Sequence, residues 1–159
     1  MDITVVDRQE KLAPATPQII SFVKKVLKQQ KIERAALSFV LVGEREIKAL
    51  NKKFLGRGYA TDVLAFELDP SAEKYLKAGP AAGGKKILYG EVVISTDAVV
   101  KNSQSFKTTA ARELALYIIH GILHLSGFDD HAARDVKKMR GKEQELLARA
   151  GLAADKLLL

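Results

Sequence analysis

All three histidines of the chain fall in one twelve-residue run, HGILHLSGFDDH, from His120 to His131. His120 and His124 stand four apart in an otherwise apolar stretch, and on an α-helix that spacing puts side chains on one face, with about 5–6 Å between their β-carbons. Two imidazoles so placed can chelate one cation. Gly127 then stops the helix and lets the chain turn, so that Asp129, Asp130 or His131 can come back toward the same ion. The expected site is two helical histidines, a glycine turn and a third ligand, with one coordination position open to water. The bland alternative is a pair of core histidines. It leaves ring nitrogens on a buried stripe that still need partners.

The chain has no Cys, which excludes disulfides, thiolate zinc sites and cysteine nucleophiles; any metal must be held by His and carboxylates. Its 159 residues, 47% of them apolar, fit one globular domain over 1–159. No run approaches the ~20 apolar residues of a membrane span, and the start MDITVVDRQEK lacks a basic block followed by an apolar one. A soluble, cytoplasmic protein with no membrane association is expected. Lys and Arg outnumber Asp and Glu by 26 to 19, and the resulting +7 favours a polyanionic partner such as nucleic acid. The basic residues are spread along the chain and aromatics make up only 6%, so no stacking platform is visible and phosphate contact is expected over base reading.

Periodicity places Ile3 to Val6 in a strand and an amphipathic helix after Thr16-Pro17, with Thr16 as cap and Ile19, Ile20, Phe22, Val23, Val26 and Leu27 as its apolar residues. Ala35 to Val42 reads as a strand, Glu44 to Phe54 as a helix, and Thr61 to Leu68 and Leu88 to Ser95 as two further strands. Asp69 to Lys86, rich in Ala, Gly and Lys, reads as a surface excursion. Three helices follow: a short one capped by Thr96 or Asp97, a long apolar one from Thr108 or Thr109 to Leu125, and an amphipathic one over Ala132 to Arg149. The last nine residues, GLAADKLLL, read as a loosely packed tail. Four strands with helices toward both ends of the sequence predict an α+β domain with a small mixed sheet.

The zinc-protease pattern places a Glu directly after the first His as general base. Here Gly121 stands there, which disfavours a peptidase and permits a close approach to the helix. Glu113, seven residues before His120, is nearly in phase with it after two turns. It is a candidate acceptor behind the ligands or a proton carrier; the alternative is a solvated first-turn acid favoured by the helix dipole. Tyr117 lies on the same stripe and reads as core.

At HGILHLSGFDD the sequence resembles the YbeY family of metal-dependent single-strand endoribonucleases, whose pattern is H-G-x-L-H-L-x-G-[YF]-D-H. LNKKFLGRGYATDVLAF, residues 50 to 66, is similar to the family's L-N-x-x-[YF]-R-G-x-x-x-x-T-[DN]-V-L-S-F segment, and GEVVIST at 90 to 96 resembles its G-D-I-V-I-S strand. ARELALYIIHG looks like the helix leading into the family's histidines. Two departures stand out. Where the family has its third histidine this chain has Asp130, with His131 one residue later, and either is open as the third ligand. Where the family has an Arg this chain has Leu55, and Arg57 is the candidate to supply the guanidinium for a phosphate.

The resemblance implies an α+β fold with the histidine helix beneath a cleft and one divalent metal, zinc by preference, at one end of a basic groove. It implies RNA cleavage in 16S rRNA 3′-end maturation and ribosome quality control. The implied partners are rRNA and the ribosome, a ribosomal protein and a ribosome-associated GTPase. His120, His124 and Asp130 or His131 would hold the metal, Arg57 would neutralise developing charge, and Glu113 or Asp129 would assist proton transfer. The competing expectation is a non-catalytic ribosome-associated RNA-binding factor with a structural metal.

Overall fold

A computed structural model describes residues 1–68 and 87–159; the excursion expected over 69–86 lies outside the described residues. The chain runs β1 (Asp2–Arg8), α1 (Thr16–Gln29), β2 (Ala35–Val42), α2 (Glu44–Leu55), β3 (Val63–Glu67), β4 (Leu88–Ser95), α3 (Thr96–Ser105), α4 (Ala110–Leu125) and α5 (Ala133–Ala150), then a 3-10 turn over Gly151–Asp155. The four strands form one mixed sheet in the order β1-β2-β4-β3. β1, β2 and β4 are mutually parallel where they pair, and β3 runs antiparallel along β4.

The strand sequences explain this layering. AALSFVLV and LYGEVVIS are nearly continuous apolar runs, as strands covered on both faces must be. Leu37, Phe39, Leu41, Val92 and Ile94 project into the main core with α1, α4 and α5. Val40, Val42 and Val93, on the opposite face, pack against Ile47 of α2. β3 is the edge strand beside β4. Its register and the Ser95 N–H to Asp62 carbonyl bond of 2.9 Å make Leu64 and Phe66 the residues that bond to β4. Val63, Ala65 and Glu67 turn their backbone groups away from the sheet.

α4, which carries the histidines, lies against β3 and β4 and is held close by two missing side chains. A β-carbon at Gly121 would stand 2.5 Å from Val92 Cγ1, and one at Gly90 would stand 2.8 Å from Leu125 Cδ2. Thr109 caps α4 as expected, its hydroxyl accepting from the Arg112 N–H at 3.2 Å. Three other expectations are corrected. α1 has Ala15, not Thr16, at its N-cap, with no side-chain cap. α3 is capped by Ser95, which a sequence reading assigns to the strand, with its hydroxyl accepting from the Ala98 N–H at 3.2 Å. The C-terminal nine residues are docked: Ala154 and Leu157 are fully buried, and Leu157 and Ala13 carbonyls accept from the Ala15 and Leu159 N–H groups, both at 2.8 Å. Apolar side chains with a main-chain ladder to hold do not remain a loose tail.

α2 has Gly43 at its N-cap and no side chain of its own there. Asp97 of α3 supplies it, its Oδ2 accepting from the Glu44 N–H at 2.6 Å while its Oδ1 pairs with Lys11. The hydrogen bond from Lys11 and then that from Glu44 hold the Asp97 carboxyl below its ordinary value of 3.8. We expect Asp97→Ala to cost about 1–2 kcal/mol, the scale of a lost N-cap. Because the folded value is depressed, the carboxylate's stabilisation is present above pH about 4 and disappears as pH falls through the folded value. Urea melts at pH 7 and pH 3 check this: the gap between wild type and variant should be smaller at the second than at the first.

Candidate metal centre

His120 and His124 project from the last turns of α4 into a cleft of about 640 Å³, whose other walls are β3 and the turn after α2. Their Nε2 atoms stand 3.0 Å apart, with rings at 78°. The helix ends at Ser126, and Gly127 takes φ +102°, a conformation costly for any side chain, to reverse the chain. That reversal brings Asp130 Oδ2 to 3.5 Å from His124 Nε2 and 3.8 Å from His120 Nε2. A tetrahedral ion with bonds of about 2.0–2.1 Å keeps its ligand atoms roughly 3.3–3.4 Å apart. Separations of 3.0, 3.5 and 3.8 Å bracket that figure, so the three donors can converge on one ion.

The protonation states also fit. Burial, and then the neighbouring His120, lower the pKa of His124 below its ordinary 6.5, so its ring is neutral and a lone pair is available at neutral pH. His120 Nδ1 lies 2.6 Å from Glu143 Oε1. With Nδ1–H donating to that carboxylate, Nε2 is left as the acceptor facing His124 and Asp130. Glu143 was not singled out from sequence, although a signal was present. On α5 it shares the stripe of Met139, Leu146, Leu147 and Ala150, all buried, and a carboxylate 7% exposed in such a stripe requires a partner.

The other candidates are placed differently. His131 lines the cleft, but its side chain is 77% exposed and its Nε2 stands 3.4 Å from Asp129 Oδ1. The same Asp129 oxygen accepts from the Asp130 and His131 N–H groups at 2.6 and 3.1 Å, so Asp129 shapes the turn. It lines a smaller depression of about 210 Å³, not the cleft. Glu113 is buried and absent from the cleft walls; burial, and then Asp62, raise its pKa above the ordinary 4.5. Tyr117 beside it is pushed up to about 12, mainly by burial, and bonds Asn102. Arg57 lines the cleft as expected. The groove is not basic, however: among its described lining residues Arg57 is the single Lys or Arg, against Asp62, Glu67, Asp130 and Glu143. By its described lining the cleft favours a cation over a phosphate.

Comparison with known proteins agrees with this geometry. The family profile described as Endoribonuclease YbeY matches residues 4–151. The Endoribonuclease YbeY of Anaeromyxobacter sp. strain Fw109-5 is 38% identical over 118 residues, covering 74% of this chain and 56% of that protein. That of Thermodesulfovibrio yellowstonii is 29% identical over 163 residues, covering 93% of this chain and 96% of the relative. The solution structure of TM1509 from Thermotoga maritima superposes with a TM-score of 0.59 at 25% identity, covering 96% of this chain and 88% of that one. The chain spans little more than half of the Anaeromyxobacter protein and nearly the whole of the Thermodesulfovibrio one. With a profile match over almost its full length, this chain belongs to the Endoribonuclease YbeY family.

Proposed function

We propose that the protein is a metal-dependent endoribonuclease that cuts single-stranded RNA, acting in the cytoplasm on rRNA at the 3′ end of the 16S species and in ribosome quality control. The convergence of His120, His124 and Asp130 in one cleft carries this reading. Those three hold a divalent ion, zinc by preference for two imidazoles. Bound there, the ion supplies Lewis acidity toward a phosphate oxygen and toward water. Glu143 fixes the His120 tautomer by accepting its Nδ1–H. Arg57 is the guanidinium in reach of a phosphate in the cleft, in place of the one that Leu55 lacks. Asp129 shapes the turn that carries Asp130, and Glu113 lies behind the cleft walls on the helix of the two histidines. Its partners in this reading are rRNA and the ribosome, with a ribosomal protein and a ribosome-associated GTPase among them.

The test combines elemental analysis with cleavage of labelled single-stranded and duplex RNA before and after chelation. We expect about one metal per chain, cutting of single strands alone, loss on chelation and recovery on adding zinc back. Stoichiometric metal with no cleavage, and a melting temperature that collapses on stripping, would instead establish the non-catalytic factor with a structural metal. What favours that second reading is the single Arg against four acids among the described residues of the cleft.

A further inference from the structure

An acidic cleft that must take in a polyanion needs a grip that does not depend on charge, and the turn after α2 has the parts for one. Asn51, 1% exposed, holds this turn from beneath. Its carbonyl accepts from the Arg57 N–H at 3.3 Å and its Nδ2 donates to the Tyr59 carbonyl at 2.9 Å. The backbone of 57–59 is therefore pinned, and the side chains of Arg57 and Tyr59 leave from a fixed base. Tyr59 is 56% exposed and Leu55 50% exposed, and both line the cleft that His120, His124 and Asp130 share. Arg57 Nη1 stands 3.5 Å from the Tyr59 hydroxyl, so the guanidinium and the ring belong to one rim.

We propose that Tyr59, with Leu55 beside it, is a stacking site for one unpaired nucleobase of the strand entering the cleft, and that Arg57 takes the adjacent phosphate. The proposal rests on the RNA-cleaving reading and deepens it. A ring offers its face to any base, and a ring carried on a pinned backbone leaves less main-chain freedom to lose when the base arrives. Bases in a duplex already have both faces covered, so the same contact prefers single strands. No linear alternation of basic and aromatic residues shows this platform; the fold makes it from a single tyrosine placed opposite the histidines.

Binding of a fluorescent 2′-O-methyl RNA oligonucleotide, followed by anisotropy with the protein as purified, tests it. Tyr59→Ala should weaken binding about 5- to 150-fold, the range for one lost base–aromatic stack, while Tyr59→Phe keeps most of the affinity. Oligonucleotides carrying one abasic residue at successive positions should show a comparable loss at one position with wild type. That loss should vanish in Tyr59→Ala. Unchanged affinity in Tyr59→Ala, or an abasic penalty that persists in it, overturns the stacking site and returns the patch to protein contact. If wild type binds with this signature and cuts nothing, the nuclease reading fails and the stacking site stands; if it cuts while Tyr59→Ala binds normally, the reverse holds.

Discussion

Purified His124→Ala should contain no stoichiometric metal and should cut single-stranded RNA no faster than background, with its fold intact. Losing a contact behind a ligand typically costs about 10–100-fold in metal affinity, so losing a ligand itself should exceed that. The protein stripped of metal should barely notice the change. The His124 ring is disfavoured in charged form by burial and by His120, and its side chain is partly open to the cleft. The melting temperatures of metal-free wild type and variant should therefore agree within about 1 kcal/mol of stability, the usual range away from the core. Three companions sharpen the result. Asp130→Ala should lose metal as His124→Ala does, whereas His131→Ala should keep it, because His131 faces Asp129. Glu143→Ala should retain the ligand set with affinity lower by about 10–100-fold. Metal retained at full occupancy by Asp130→Ala and lost by His131→Ala would transfer the third ligand to His131.

The second large effect is on stability. Gly121→Val should destabilise the protein by about 3 kcal/mol or more, the upper end of overpacking costs. The added β-carbon alone would stand 2.5 and 2.9 Å from the two methyls of Val92, a fully buried residue of the central strand β4. Val92 is branched at Cβ and has no rotamer that clears both methyls. For a domain of this size that cost lowers the melting temperature by roughly 6–12 °C. Gly121→Ala should cost less, because helix propensity returns up to about 1 kcal/mol. Pairing it with Val92→Ala should recover about 1–3 kcal/mol relative to the sum of the single changes, since the two side chains compete for one space. Simple additivity in that cycle would mean that α4 shifts away from the sheet without resistance.

The parts of the site that a reader can find in the sequence are those built from neighbours. His120, His124 and Asp130 lie within eleven residues, and a helical period plus a glycine turn is enough to gather them. Glu143 comes from another helix, and only the packing of α5 on α4 brings it to 2.6 Å. Asp97 behaves likewise: it lies fifty-three residues from the N–H group that it caps. For Glu113 phase is the whole signal, and it places the residue correctly on the stripe but two turns from His120 and off the cleft walls. The tail misled because a short Leu run has no period to read, and its burial depends on Ala13 and Pro14 at the other end of the chain. β2 and β4 are legible directly, since covered strands leave an apolar signature that needs no partner to be seen.

The donors of the centre do not share one local stability. His120 and His124 sit on a helix whose apolar face is packed into the main core against the sheet. Asp130 sits on a half-exposed turn in which the Asp129 carboxylate holds the Asp130 and His131 N–H groups and Phe128 packs against the core. Opening that turn should break fewer contacts than unfolding the helix. An ion held by these three donors would then exchange by way of the turn: Asp130 would release first, while His120 and His124 stayed in position to receive the next ion.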